Sequence, residues 1–260
     1  MMNRNLKKII YAVLPLISIG AFFAAWIVLS SAEGTLIPSP KETLVRLIEI
    51  LVKPISGGTL FVHIWVSLRR VLIAFVIAIL LGVGLGVGLG WNKKFKALVG
   101  PIFEILRPIP PIAWIPLVVL WMGIGEPPKI FIVFIGSFVP IVLNTFSGIK
   151  DIDDLTINAG KVLGANRKQL LAEVALPATI PAILAGIRTA LSSGWMCVVA
   201  AEMIVAKQGV GFLIVRGQES GDTALIVICM LAIGVVSALL SFSLTKLEGV
   251  LCPWQFSKTK

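Results

Sequence analysis

Histidine, cysteine pairing and charge are all scarce in this chain. There is one histidine, His63, among 260 residues. A Ser/His/Asp triad or a histidine-based metal site is therefore not expected, and no catalytic residue is assigned. The three cysteines, Cys197, Cys229 and Cys252, lack metal-ligand spacing, and the first two lie inside apolar runs. That excludes a disulfide framework and a zinc cluster. No G-x-x-x-x-G-K-[ST] segment occurs, so the chain is not expected to hydrolyse ATP. Only 14% of residues are charged, against 57% hydrophobic, and the mean hydropathy is +0.99. Average soluble domains carry ~25% charged and roughly 45–50% apolar residues. A soluble fold of this length has no interior large enough for so much apolar surface, whereas a bilayer lets it face lipid.

What is present is a series of long uncharged runs. Six spans are expected, near 9–31, 64–90, 98–124, 128–149, 180–206 and 223–246. Each offers the roughly 20 mostly apolar residues a membrane helix needs. Backbone groups in lipid require internal partners, which helices supply. The runs are continuous, without the ~10-residue alternation of a membrane barrel. The first run exceeds a signal-peptide core and is followed by further spans, so it is read as retained. The expected fold is all-α, a polytopic membrane protein forming a single transmembrane domain over 1–260.

The net charge is +10. No basic run interleaves with aromatics, so nucleic acid is not an expected partner. The cations follow the membrane topology instead. With the N-terminus inside, the internal segments carry Arg4, Lys7, Lys8, Lys93, Lys94, Lys96, Lys150, Lys161, Arg167, Lys168, Lys246, Lys258 and Lys260. The external ones carry only Lys41, Arg46, Lys53, Lys129, Lys207 and Arg216. The positive-inside bias places both termini in the cytoplasm.

Two polar segments are long enough to fold. Residues 32–62 are expected outside, with a short interfacial helix at 40–52 built on Leu44, Leu47, Ile48 and Leu51. Residues 150–179 are expected inside. There Leu155, Ala159, Val162, Leu163, Leu170 and Val174 form an apolar stripe, and Asp153 or Asp154 caps its start. Gly164 weakens the helix midway and Pro177 is expected to end it. On physical grounds this pair is either a plain surface loop or a docking element. Gly82, Gly86 and Gly90 share a helix face as overlapping G-x-x-x-G steps, the pattern of close helix packing or of a merely flexible span.

Several residues are candidates for the transport path. Pro108, Pro110, Pro111 and Pro116 break the hydrogen-bond ladder of the third span, which then lines a pore or simply kinks. Arg107 either snorkels to the interface or joins that lining. Trp114, Trp121 and Trp195 are pathway or interface aromatics. Glu202, a carboxylate within the fifth span, is expected to pair with Arg188 or Arg107 as a structural or gating ion pair, or to be solvated near the external surface.

The internal segment resembles the EAA loop of bacterial ABC importer permeases, E-A-A-x3-G-x9-I-x-L-P. The pattern falls on Asn158, Ala159, Gly160, then Gly164, then Val174, Leu176 and Pro177. Asn158 replaces the Glu, Gly160 the second Ala and Val174 the Ile. The resemblance extends along the chain. Leu36–Pro40 is similar to the "LPSP" segment, and Ser67–Leu72 to the start of the second span, with Ala74 for Gly before Phe75. Arg107–Pro111 through Trp121–Glu126 is similar to the stretch "R-x-P-P-x-A-x-x-P-L-x-x-x-W-F-G-I-G". Ala200–Met203 with Gly209–Gly211 matches "A-E-x...G-x-G". These motifs resemble the taurine, aliphatic-sulfonate and nitrate branch, and Pro253-Trp254 leans toward taurine-type members.

The resemblance implies a permease subunit in the bacterial cytoplasmic membrane, paired with a second copy. An ATP-binding subunit, which uses the ATP, and an external substrate-binding protein complete the assembly. It implies no cofactor on this chain, and a coupling helix around Asn158, Ala159, Gly160, Gly164, Ala165, Asn166, Leu176 and Pro177. The expected cargo is a small anion of sulfonate type. Nitrate, bicarbonate, a pyrimidine vitamin precursor and riboflavin are the alternatives within the class. An ion-driven secondary transporter, the alternative from another class, would show inverted repeats, and none is visible.

Overall fold

The computed structural model describes residues 4–32 and 34–252. The expected Pro253-Trp254 end, Lys258 and Lys260 lie outside the described residues. Among those described, the chain is helical with no strand.

Helix α1 (Arg4–Ser30) forms the first span. Helix α2 (Pro40–Val52) is started by a complete capping box. The Ser39 hydroxyl accepts from the Glu42 N–H, and the Glu42 carboxylate accepts from the Ser39 N–H. Its Ile50 side is buried against Leu60 at the start of α3 (Leu60–Trp91) and Leu225 of α11 (Thr223–Leu251), while Leu44 and Ile48 stay exposed. The helix is thus half docked on the bundle as well as amphipathic.

The core is a three-helix stack of α3, α6 (Glu126–Lys150) and α9 (Leu176–Val205), with α6 in the middle. Val71, Ala74, Ile132, Val133, Ile141, Ala190 and Val198 are fully enclosed there. The glycine stripe explains how α3 comes so close to α6. A Cβ at Gly82, Gly86 or Gly90 would lie 2.9, 2.6 or 2.7 Å from Ile141, Thr145 or Ile149. Only glycine fits at such an approach, so the packing reading of the G-x-x-x-G pattern holds.

The third span is not one helix. Helix α4 (Lys93–Leu106) and a second piece bend by 88° about residues 107–110. That second piece is a 3₁₀ turn (Pro111–Trp114) continued by α5 (Ile115–Met122). Pro108, Pro110 and Pro111 supply no backbone donors, so the ladder cannot cross this point. Among the described residues, five helices are long and apolar enough to cross a membrane, or six with the bent pair taken as one span.

Helices α3 and α6 run parallel and α9 antiparallel to both, which gives the bundle two ends. One gathers the starts of α3 and α6, the end of α9 and helix α10 (Val210–Ser220). The other gathers the end of α3, the end of α6 and the 151–175 segment.

Candidate functional site

The 151–175 segment folds as two short helices turned back on one another. Asp153 caps α7 (Asp154–Val162), its carboxylate accepting from the Leu155 N–H at 2.9 Å. Gly164, at φ +83°, ends that helix and reverses the chain. Asn166 then opens α8 (Arg167–Gln169), accepting from the Lys168 and Gln169 N–H groups at 3.0 Å each, and Gln169 returns the bond to complete a capping box. The Ala165 N–H donates to the Gly160 carbonyl at 3.0 Å and closes the turn. A Cβ at Gly160 would lie 2.6 Å from the Leu170 side-chain tip, so the second Ala of the family pattern would need that leucine to shift.

The expected bent pair forms, and its apolar stripe is covered on one half only. Leu170 is buried and Val174 half-buried, whereas Leu155, Val162 and Leu163 are 74, 88 and 86% exposed. The turn at Gly164 takes the α7 stripe away from the bundle and leaves it uncovered. Asn158 and Ala159 sit exposed beside it, with Lys161 donating to the Asn158 side-chain oxygen at 3.1 Å. Arg167 reaches the Trp91 carbonyl at the end of α3.

Pro177 does not end a helix. The chain runs through a wide π turn (Leu170–Ala175) directly into α9, with Leu176 half-buried and Pro177 in the first turn of α9. A proline ring there meets no donor requirement, and the widened turn makes room for it.

The candidate path residues separate into three places. Arg107, Pro110 and Pro111 come together at the elbow of the bent pair. With Gly136 and Pro140 of α6 and Ser193 and Cys197 of α9 they enclose a cavity of about 310 Å³. Arg107 is held by Glu104, one turn back, at 2.9 Å. Trp114 is half-buried on the central core, Trp121 is 63% exposed outside the cavity, and Trp195 is buried in the core.

Glu202 lies elsewhere, at the bundle end opposite 151–175, and both expected partners are wrong. Arg188 pairs with Glu248 of α11, and Arg107 with Glu104. Glu202 pairs with Arg70, whose Nη1 donates to Oε1 at 2.6 Å. Antiparallel packing brings the second turn of α3 beside the last turn of α9. Glu202 Oε2 also accepts from the Ser67 hydroxyl at 2.8 Å and from the Gly211 N–H at 2.9 Å.

Arg70 forks onto a second carboxylate. Its Nε and Nη2 donate to the two oxygens of Glu126 at 2.7 and 2.6 Å, the bidentate geometry that strengthens such pairs. Lys129, nearly buried, donates to Glu126 at 3.0 Å. With the more exposed Arg69 3.7 Å from Glu126, three cations and two carboxylates thus meet at the starts of α3 and α6 and the end of α9. Lys129, expected in an external loop, belongs to this cluster.

The network holds the backbone between α9 and α10. The Gln208 carbonyl accepts from Arg70, the Val210 N–H donates to Ser67, and the Gly209 N–H donates to His63 Nδ1. The ring's Nε2 faces the Ile55 carbonyl at 3.0 Å. With an N–H aimed at Nδ1 and a carbonyl at Nε2, the geometry assigns the neutral tautomer protonated on Nε2. Gly209 is at φ +122° with its missing Cβ directed at the Glu202 carboxylate, so no other residue fits. Arg70, Glu126, Ser67 and His63 were not among the expected site residues. The pair Arg69–Arg70 at the head of the uncharged run 71–92, within a membrane helix, was the available signal, because an intramembrane cation demands a partner.

Among the described residues, no group of three His, Cys, Asp or Glu side chains is placed to hold a metal ion.

A bundle of membrane-spanning helices with a broken third span and a two-helix segment at one end defines a permease-type transmembrane domain. Residues 59–254 match the family described as "Binding-protein-dependent transport system inner membrane component", and the chain belongs to that family. It is therefore a permease subunit of an ABC importer, a multi-pass inner-membrane component.

Its relatives carry the same kind of description. It is 36% identical over 242 residues to a protein of Brucella abortus (strain 2308) named "Probable ABC transporter permease protein", covering 93% of this chain and 95% of that one. It is 35% identical to the taurine transport system permease protein TauC of Escherichia coli (strain K12), over 84% of this chain and 80% of that one. It is 33% identical to the nitrate import permease protein NrtB of Synechocystis sp., over 96% and 94%. The inward-facing MetNI methionine ABC transporter is similar in fold, with a TM-score of 0.65 at 19% identity, over 79% of this chain and 98% of the solved one.

Proposed function

We propose that this permease subunit translocates a small anionic solute of the taurine or alkanesulfonate type. A separate ATP-binding subunit grips the 151–175 segment and supplies the energy, and an external binding protein delivers the cargo. The carrying observation is the α7–α8 turn itself. It displays Leu155, Val162 and Leu163 to solvent beside Lys161, Arg167 and Lys168, on a segment rigidified by two caps. Exposed apolar side chains on a rigid, well-capped element fit a socket in a partner better than they fit water. On this reading Asn158, Ala159, Gly160, Gly164, Ala165, Asn166, Leu176 and Pro177 build the coupling element.

The 151–175 end is then cytoplasmic, with both termini on that side. Two copies of the chain enclose the path, and the elbow cavity with Arg107, Pro110 and Pro111 faces it. ATP-driven approach of the two ATPases moves the coupling turns and rocks the spans between inward- and outward-open states. This chain binds no cofactor of its own.

The sulfonate reading draws on the relation to TauC and to an aliphatic sulfonates permease of Bacillus subtilis. The relation to NrtB, which extends over nearly the whole chain, favours nitrate as a second reading. The test is ATPase stimulation of the reconstituted complex, with its binding protein, by taurine, alkanesulfonates, nitrate and bicarbonate in turn. Stimulation by a sulfonate alone supports the first reading, and stimulation by nitrate alone replaces it with the second. Stimulation by none of them removes the small-anion assignment.

A further inference from the structure

A group of lysines without carboxylate partners among the described residues lies outside both sites described above. A cavity of about 530 Å³ opens between α4, the end of α3 and α6. Lys93, Lys96 and Lys150 stand on its wall, and none of them has a carboxylate partner among the described residues. The one acid on that wall, Glu104, is already paired with Arg107. The rest of the lining is apolar, with Leu143, Phe146 and Phe103 as its large members. Lys96 is held across the opening by the Phe146 ring, its Nζ 4.9 Å from the centroid.

Helix α4 that forms one side buries no residue. Its other face exposes Leu98, Ile102 and Ile105, which are 73, 58 and 73% accessible. Lys93 and Lys96 follow Trp91 at the α3–α4 junction and Lys150 closes α6 at the same bundle end, where an aromatic and cations mark headgroup depth. Uncompensated cations at that depth, above an apolar slot leading into the bundle, match an amphiphile with a negative head. A free hydrophilic anion would satisfy the lysines and leave the aromatic wall uncovered.

We propose that this cavity is a binding site for an anionic phospholipid. The phosphate sits on Lys93, Lys96 and Lys150, and one acyl chain lies along Leu143, Phe146 and Phe103. Basic pockets between membrane helices bind anionic headgroups through the same charge pairing. The lipid would fill the wedge under α4, the helix that leads to the elbow.

The test is native mass spectrometry of the full chain, purified with its ATP-binding subunit, against added phosphatidylglycerol or phosphatidylcholine. The wild type is expected to retain phosphatidylglycerol selectively. The triple substitution K93Q/K96Q/K150Q should lower that retention by at least about tenfold while phosphatidylcholine is unchanged. The charge-conserving K93R/K96R/K150R should keep it, and millimolar inorganic phosphate should fail to displace the lipid. Equal retention of the two lipids by the wild type overturns the proposal, with no variant required. So does unchanged selectivity in the glutamine variant. Displacement by free phosphate also overturns it and assigns the lysines to a small soluble anion.

Discussion

The two ends of the bundle solve opposite problems. At the Arg70 end the buried charges are answered within the chain: Arg70 is 2% exposed, Glu202 1%, and both carboxylates of the cluster accept from cations. At the 151–175 end the chain leaves apolar side chains uncovered on α7 and lysines without carboxylates beside α4. The first end is closed upon itself and fastens three helices. The second is complete only as backbone, through its caps, and presents surface for something else to cover. A buried charge must find its partner during folding, because leaving it bare costs several kcal/mol. An exposed leucine carries no comparable penalty and can wait for assembly.

This contrast can be broken most severely at Arg70. Arg70→Met leaves the Glu202 and Glu126 carboxylates without their shared cation, and a loss of about 3–5 kcal/mol is expected. It would be read as a large fall in melting temperature of the purified protein. Adding Glu202→Gln to that variant should recover part of the loss, since the stranded buried charge is gone while Glu126 keeps Lys129. A melting temperature unchanged by Arg70→Met would mean the cluster does not fasten the helices.

Gly86→Leu should cost roughly 1–3 kcal/mol by forcing α3 off α6. The same change at Gly84 should stay within about 0.5 kcal/mol, since nothing described lies within 4 Å of a Cβ there. Melting curves of the pair sharpen the claim that spacing, not glycine content, matters.

At the other end the expected signs reverse. Changing Leu155, Val162 and Leu163 together to Asp should alter stability by no more than about 0.5 kcal/mol per site. It should nevertheless abolish co-purification of the ATP-binding subunit, as should charge reversal of Arg167 and Lys168 or deletion of 158–166. Retention of that subunit by the deleted chain would remove the coupling reading.

The smallest effect is expected where α2 docks. Arg46 bridges Glu49 at 2.6 Å and Asp222 at 2.8 Å on a half-exposed surface. Arg46→Ala should cost up to about 1 kcal/mol. Hydrogen bonds from Arg46, and then Lys53, hold the Glu49 carboxyl below its ordinary value. Its support is therefore present above the usual carboxylate range and fades as the pH falls through the lowered value. Arg46→Ala should flatten the acid limb of stability against pH slightly, and an unchanged limb would show that the pair is inert.

Much of the architecture was legible because lipid imposes a one-dimensional rule. Twenty apolar residues read as a span wherever they later pack, and prolines 108, 110 and 111 announce a break wherever the elbow ends up. The cap at Asp153 and the glycine face of α3 were equally local. Pairing was not. Glu202 lies 132 positions from Arg70, and no spacing rule links them, so Arg188 and Arg107 stood as equal candidates. Gly164 announced a bent pair, but which half of the 155–174 stripe packs on the bundle was hidden for a related reason, since it depends on contacts distant in sequence.

By itself the chain determined its solvent. Uncharged runs, cations on one set of loops, proline and glycine placement follow from the free energy of moving side chains and bare backbone into hydrocarbon, which depends on composition over about twenty residues. Tertiary structure alone decided the partnerships: which carboxylates Arg70 serves, which lysines remain unanswered, and which leucines face outward. Those are set by how antiparallel helices register against one another, and registry is a property of packed surfaces in three dimensions.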